Sequence, residues 1–328
     1  MKNIMKRLLS TSLILIVVMG LARVDIFATL SEHNHCICGE SNCSEQTHDT
    51  NPHWQAWSSN NSLPNDEGNY YLTQNVELTD TWTCAKNINL CLNGKTITGA
   101  DGKDVISVSS SASLTITDCT SNSNNVGKIT HKTNETGRGI SNNGTLTLWN
   151  GSIANNTYKY YDGIGVNNNG TFTMNGGSIT GNVGFVDSTG GGNGGGVNNS
   201  TNCTFTMNGG SITDNKNHYG GGVYNNGTFV MTGGSITGNL CRYTDGGSGV
   251  MNLATFQISG KVTIKDNKKR NEDNSVSEND NNVSIYQNDD GLEVIGNLDS
   301  TSRVGITKRS VDTVVVKGSV DTTVFTSI

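Results

Sequence analysis

The sequence contains little proline, little charge and few aromatic residues. Only two of its 328 residues are proline, and charged residues make up 15%, where ordinary globular domains have roughly a quarter. The formal net charge of −6 excludes a basic nucleic-acid-binding protein, whose surface would carry clustered lysine and arginine. The 41 glycines follow no three-residue period, which excludes a collagen-like chain. The abundant glycine, amide and hydroxyl side chains favour many turns and little helix.

Long apolar runs are also scarce, because the sequence has only one and it lies near the N terminus. Three basic residues precede an apolar stretch from Leu8 to Leu21, which is short for a membrane span of roughly 20 residues. We therefore interpret residues 1–28 as a signal peptide, with cleavage expected after Ala28 or Ala22. The protein is then expected to be secreted or displayed at the cell surface, without a transmembrane segment after signal removal. A signal anchor retained in the membrane is the alternative.

A repeat with steps of 26 to 31 residues dominates the sequence from residue 137 onward. Each copy has Gly-x-Gly before Ile or Val, an asparagine two residues later, an alternating apolar pair, and an isoleucine followed three residues later by a second asparagine. Alternation with period two, as in Phe229–Val230–Met231, is the spacing of a strand with one buried face. Internal repetition of this length is typical of a solenoid. The pattern predicts an all-β parallel β-helix with three short strands per coil.

Two asparagine columns recur at constant offsets and predict hydrogen-bonded ladders. An amide side chain has donors and acceptors, so identical asparagines in successive coils can hydrogen-bond along the axis. Turn propensity explains the abundance of asparagine but not the same offset in every copy. The first column comprises Asn142, Asn168, Asn199, Asn225 and Asn252, and the second comprises Asn156, Asn182, Asn215, Asn239 and Asn267.

The regions around the repeats complete the predicted organisation. Residues 29–56 form a Cys/His-rich segment, residues 57–267 the parallel β-helix, with its start expected near residue 70, and residues 268–282 a charged loop or linker. Residues 283–328 carry short alternating strands that are expected to complete or cap the solenoid. A bare solenoid end exposes strand edges and core, so we expect that the sequence is the front portion of a longer protein.

The unit GGGVYNNGTFVMTGGSITGN (220–239) resembles the right-handed parallel β-helix repeats of large secreted or cell-surface proteins of Gram-positive anaerobes. It is also partly similar to polymorphic membrane protein repeats, although their FxxN motif is replaced here by Ile-x-x-Asn at 236–239. The segments HNHCICG (33–39) and NLCLNGKTI (89–97) look like the front end of the former proteins. The resemblance implies a right-handed helix and an adhesin-like or scaffolding role at a surface, and it brings no catalytic residues.

The segment 29–56 concentrates side chains that bind metals. Three of the eight cysteines and four of the six histidines lie between residues 33 and 53. Zinc takes four such ligands in structural sites, and Cys36, Cys38, Cys43 and His48 are the predicted set. The Cys-x-Cys spacing is tighter than that of ordinary zinc modules, and exported thiols tend to oxidise. A disulfide without metal, or neither, therefore stays open beside a structural zinc.

Loops of variable length separate the fixed repeat positions and predict a binding face. Insertions on one face of a solenoid often mark its binding side, and aromatic rings can stack against sugars. We therefore expect contacts to a glycan or a surface protein; the alternative is that loops simply tolerate aromatic residues. The candidate residues are Tyr158, Tyr160, Tyr161, Phe185, His218, Tyr219 and Tyr243.

An enzyme is the less favoured alternative, since pectate lyases and polygalacturonases share the predicted fold. Such catalysis needs clustered carboxylates on one face, for Ca²⁺ or for acid–base chemistry. The loops carry only Asp162, Asp187, Asp214 and Asp245, one in each. The triplets GHG and RIK of the polygalacturonase pattern do not occur. We therefore predict no catalytic residues, because a fold alone does not imply a function.

Overall fold

Parallel strands make up nearly all of the regular structure in the computed structural model of the chain. It describes residues 33–40, 49–120, 125–159, 161–184, 192–242, 246–271, 275–285, 291–307, 316–317 and 324–327. The chain divides into two compact units, Met1–Asn34 and His35–Ile328, and every element below belongs to the second. These ranges contain no α-helix, and their strands form one sheet of 27 strands and another of four. The predicted all-β parallel β-helix is confirmed.

The valine sheet contains the strands that follow each Gly-x-Gly. Val166 pairs with Val197, and Val197 pairs with Val223, so equivalent repeat positions lie in register from coil to coil. Its strands are Trp82–Cys84, Ile106–Val108, Ile140–Asn142, Val166–Asn168, Val197–Asn199, Val223–Asn225, Val250–Asn252 and Val283–Ile285.

The phenylalanine sheet contains the alternating apolar pair of each repeat. Its strands are Gln55–Trp57, Gly68–Leu72, Ile88–Cys91, Ser113–Thr117, Thr145–Leu148, Thr171–Met174, Thr204–Met207, Thr228–Thr237, Thr255–Lys265, Leu292–Leu298 and Val316–Lys317. Two of these strands, Thr228–Thr237 and Thr255–Lys265, continue into the isoleucine sheet. In these coils the two faces of the solenoid are therefore connected by one continuous strand.

The isoleucine sheet contains the last strand of each predicted coil. Its separate strands are Val76–Glu77, Thr96–Thr98, Lys128–Thr130, Ser152–Ala154, Ser178–Thr180, Ser211–Thr213, Arg303–Thr307 and Phe325–Ser327. Ile153 pairs with Ile179, and Ile179 pairs with Ile212, so this repeat position also stacks in register.

The interior is filled by side chains stacked on their equivalents. Phe172, Phe205, Phe229 and Phe256 are fully buried, and successive ring centroids lie 4.7–4.9 Å apart with interplanar angles of 4–7°. This spacing equals the separation of neighbouring strands, about 4.8 Å, so the rings repeat with the backbone. Each fully buried apolar side chain contributes roughly 1.5–3 kcal/mol to folding.

Both predicted asparagine ladders are confirmed. In the first, from Asn142 to Asn252, each Nδ2 donates to Oδ1 of the next asparagine at 2.6–2.8 Å. In the second, from Asn156 to Asn267, the same bonds measure 2.9–3.0 Å, and each backbone N–H donates to the same oxygen at 3.0–3.1 Å. The side chains are buried, so each ladder satisfies amides that would otherwise destabilise the interior.

The second ladder extends at both ends beyond the predicted asparagines. At one end, Nδ1 of His131 lies 2.8 Å from Asn156 Oδ1, and because a carboxamide oxygen only accepts, Nδ1 is the donor. At the other end, Asn267 Nδ2 donates to Asn282 Oδ1 at 2.9 Å. Neither His131 nor Asn282 lies three residues after a repeat isoleucine, so the sequence pattern did not predict them as part of the ladder.

A four-stranded side sheet follows the isoleucine sheet in the later coils. Lys216–Asn217 pairs with Leu240–Cys241, and that strand pairs with Lys268–Arg270. The last of these turns back antiparallel to Val276–Asp280. The later coils therefore have a fourth short strand in addition to the predicted three. Each of the three parallel side-sheet strands begins directly after an asparagine of the second ladder. The backbone N–H of each of these ladder asparagines is hydrogen-bonded, which fixes the backbone where the strand begins.

The segment 268–282, predicted as a charged loop or linker, thus contains two paired strands instead. Lys268 Nζ lies 2.6 Å from Asp280 Oδ1, so an ion pair joins the two strands. The sequence pattern did not predict these two strands. They pair through backbone hydrogen bonds on the outside of the solenoid, where no alternation of apolar and polar residues is needed.

The solenoid also begins earlier than the predicted start near residue 70. Gln55–Trp57 already pairs in parallel with Tyr70–Leu72, and the Trp57 ring packs edge-on against Tyr70 at 5.8 Å. The pattern missed this strand because it spans three residues, too few to show alternation.

A column of glycines allows neighbouring coils to approach closely. A Cβ placed on Gly222 would lie 2.5 Å from the carbonyl oxygen of Gly249 and 3.0 Å from Asn239 Nδ2. Equivalent contacts face Gly165 and Gly196. A glycine is therefore required directly before each valine, because the gap between neighbouring coils is too small for a Cβ atom.

Replacing Gly222 by alanine is expected to lower the free energy of unfolding by about 1–3 kcal/mol, because the methyl group overlaps rigid backbone. Chemical denaturation followed by circular dichroism measures the loss. Gly296→Ala is the matched control, because its Cβ would meet no atom closer than 3.2 Å and its surroundings are exposed. Equal stability of the two variants would contradict the assigned role of the glycine.

Candidate functional site

Two of the predicted binding residues, Tyr158 and Tyr161, lie side by side. Their rings stack with centroids 3.8 Å apart and an interplanar angle of 15°. Tyr161 is 44% exposed, and Tyr158 is half-buried. The neighbouring Tyr161 hydroxyl raises the pKa of Tyr158, mainly through a hydrogen bond between the side chains. An exposed pair of rings presents an apolar face with polar hydroxyl groups at its edge.

Arg138 completes this group, which we call the tyrosine platform (Tyr158, Tyr161 and Arg138). Its guanidinium carbon lies 5.0 Å from the ring centroid of Tyr161 and 5.6 Å from that of Tyr158, within cation–π range. Arg138 Nε donates to the Asp162 carbonyl oxygen at 2.8 Å, and Nη1 lies 3.4 Å from the Asp104 carboxylate. These contacts fix the guanidinium beside the rings, and sequence reasoning had not included it among the binding residues.

Of the remaining predicted binding residues, the structure describes Tyr219 and His218. Tyr160, Phe185 and Tyr243 lie outside the described residues. Tyr219 is half-buried and forms a bridge with Asn193 of the previous coil. The prediction of Tyr219 as a binding residue therefore stays untested.

His218 does not face solvent, and its role as a binding residue stays a prediction. Its side chain is fully buried, and its Nδ1 lies 3.4 Å from the backbone nitrogen of Gly192. The side sheet draws it inward, since the preceding residue, Asn217, belongs to a side-sheet strand.

The described carboxylates of the loops serve local structure. Asp162 Oδ1 accepts a hydrogen bond from the backbone of Asn193 at 2.7 Å. Asp214 is exposed and adopts a left-handed backbone conformation with φ of 57° directly after a strand. Asp187 and Asp245 lie outside the described residues.

The predicted zinc ligands are only partly described. Cys36 and Cys38 are buried, and Cys36 Sγ donates to the Glu40 carbonyl oxygen at 3.2 Å. Cys43 and His48 lie outside the described residues, so this ligand set stays a prediction.

The described part of the Cys/His-rich segment from His35 onward packs on the outside of the first coils. Ile37 and Trp54 pack with Cys91 in a small apolar cluster of their own. Trp54 Nε1 donates to the His35 carbonyl oxygen at 2.8 Å, and Asn150 Nδ2 donates to the Cys38 carbonyl oxygen at 2.9 Å. The segment therefore covers part of the solenoid surface, and it brings a histidine next to two cysteines of the coils.

Comparisons of the chain with protein-family models, curated proteins and solved structures return no match. Within the described ranges, no helix has the length and hydropathy that crossing a bilayer requires. A function for the chain is therefore inferred from its own residues.

Proposed function

We propose that the chain is an exported, non-catalytic surface protein whose solenoid presents the tyrosine platform to a glycan. The observation that carries this proposal is the stacked, exposed tyrosine pair held beside Arg138. The apolar face of a sugar ring can stack on Tyr161, while the guanidinium can donate hydrogen bonds to hydroxyl or carboxylate oxygens. The charged N-terminal region followed by an apolar stretch supports export to a place where such glycans occur.

A rigid scaffold favours this use of the platform. Thr157, directly before Tyr158, forms a parallel bridge to Val183 of the next coil. Arg138 precedes the valine-sheet strand Ile140–Asn142 by two residues. One end of the platform thus lies next to a regular strand and the other next to a backbone bridge between coils, which lowers the entropy lost when a ligand binds.

Replacing Tyr161 by alanine is expected to weaken binding of any glycan that the wild-type chain retains by at least about tenfold, the effect of losing roughly 1.4 kcal/mol of ring stacking. A glycan array identifies the ligand, and titration calorimetry measures the affinities. Tyr224→Ala serves as the control, because this half-buried tyrosine lies in the valine sheet. Unchanged affinity in Tyr161→Ala, or equal losses in both variants, would contradict the proposal.

The enzyme alternative is tested separately on polysaccharides, by measuring soluble sugar release with and without Ca²⁺. No steady release is expected. Steady product formation that is abolished in Asp214→Ala would replace the proposed function by a lyase or hydrolase activity.

A further inference from the structure

A histidine of the docked N-terminal segment and two cysteines of different coils form one compact group. The ligand atoms of His35, Cys91 and Cys119 all lie within 4.8 Å of one another. His35 and Cys91 are buried, and Cys119 is half-buried. We propose that these three side chains bind one zinc ion, which fastens the segment to the first coils.

The strand geometry places the two cysteines on the outside of the solenoid. In Ile88–Cys91, Ile88 and Leu90 belong to the main core, whereas Cys91 belongs to the separate cluster under the docked segment. Cys91 pairs in register with Thr117 of the next coil, and Cys119 follows two residues later. Both thiols therefore come from rigid parallel strands or their immediate end, and both face the docked segment.

The geometry of His35 suits a metal ligand. Its Nδ1 lies 2.6 Å from the Cys36 carbonyl oxygen, which can only accept, so Nδ1 carries the proton. In the neutral ring the lone pair is then on Nε2, the arrangement in which a backbone carbonyl orients a metal-bound imidazole. The Trp54 ring packs against this imidazole at 4.5 Å and restricts its orientation.

The spacing and chemistry of the three donors fit zinc. Tetrahedral zinc with Zn–S near 2.3 Å and Zn–N near 2.0 Å places its ligand atoms about 3.6–3.8 Å apart. Donors within 4.8 Å of one another reach that spacing by side-chain shifts of about 1 Å. Two thiolates with an imidazole form a soft ligand set that zinc takes in preference to calcium or magnesium. One coordination position is left for a further donor.

The ion would act as a cross-link between distant parts of the chain. His35 is separated from Cys91 and Cys119 by long stretches of sequence, and the segment is otherwise held by a small apolar cluster and a few hydrogen bonds. An ion bound only by the folded chain stabilises it by mass action, so its removal should weaken the docked segment first.

Elemental analysis of the untagged full chain tests the proposal. We expect about one zinc per chain, and at least about a tenfold loss of zinc affinity in Cys91→Ser and Cys119→Ser. Cys84→Ser is the control: Cys84 is a thiol inside the core, where burial raises its pKa to about 11, and its variant should retain zinc. Cobalt substituted for zinc should show thiolate charge-transfer absorption in the control, and the absorption per bound cobalt should be clearly weaker in Cys91→Ser, which keeps one of the two thiolates.

A second measurement uses the wild-type chain, so that misfolding of a variant cannot decide the result. Adding a chelator should lower the melting temperature of the wild type and leave that of Cys91→Ser unchanged. Three results would overturn the proposal: no zinc in the wild type, equal zinc in all variants, or a Cys91–Cys119 disulfide found by non-reducing mass spectrometry in the exported protein.

Discussion

Replacing Asn215 by alanine is expected to lower the free energy of unfolding by at least about 3 kcal/mol, because several buried polar groups lose their partner together. Asn215 Oδ1 accepts from both the backbone N–H and Nδ2 of Asn182, at 3.0 and 2.9 Å. Its own Nδ2 donates to the Ile179 carbonyl oxygen at 2.9 Å and to Asn239 Oδ1 at 3.0 Å. Urea denaturation followed by circular dichroism measures the change.

The control for this prediction lies in the same coil. Asn208 also belongs to a row of asparagines, since its Nδ2 donates to Asn175 Oδ1 at 2.8 Å, but it is exposed. Asn208→Ala should change stability by less than about 0.5 kcal/mol, because water replaces the lost bonds. Asn215→Asp keeps the acceptors and removes both donors, so it should also be strongly destabilising. A mild effect of Asn215→Asp would show that the ladder does not need its donors.

Replacing Phe205 by alanine is expected to lower the free energy of unfolding by about 3–5 kcal/mol. This is the range observed when a buried phenylalanine is removed and a cavity remains. Its ring lies between those of Phe172 and Phe229, at centroid distances of 4.9 and 4.7 Å, and is fully buried. The rigid spacing of the coils prevents the neighbours from closing the gap, so the cost should lie toward the upper part of this range.

Thr206→Ala provides the comparison for Phe205→Ala, because Thr206 is the adjacent residue of the same strand and faces outward. Thr206→Ala should lower the free energy of unfolding by less than about 0.5 kcal/mol. Phe205 and Phe229 touch, so the double variant should be destabilised by less than the sum of the single changes, since the second deletion enlarges a cavity that already exists. If the losses of stability in the two single variants simply added up in the double variant, the phenylalanine rings would not form a continuous stack.

The candidate sites could be predicted only in part. Tyr158 and Tyr161 were found because aromatic residues recur in loops between fixed anchors, yet nothing in the sequence indicated that Arg138, from the start of the same coil, lies against them. His218 looked like a loop residue, but a side-sheet strand buries it. Residues one coil apart in sequence become neighbours in space, and no local pattern records which loop side chains meet.

The proposed zinc-binding group of His35, Cys91 and Cys119 shows the same limit. The sequence indicated that histidines and cysteines cluster between residues 33 and 53, but it offered no reason to join them to Cys91 and Cys119. An outward cysteine in a strand that otherwise alternates inward apolar residues was the available signal. Its significance depends on which segment covers that face of the coil.

The amino-acid sequence was sufficient to predict the coil. Its repeat length, its alternating apolar residues and its two asparagine columns require equivalent side chains to stack, because each coil buries its apolar face and satisfies its amides only against the next. The features on the outside of the solenoid became visible only in the folded chain: the packing of the described Cys/His-rich residues, the side sheet and the tyrosine platform. Those features depend on contacts between segments that share no period, and periodicity was the only long-range information the sequence carried.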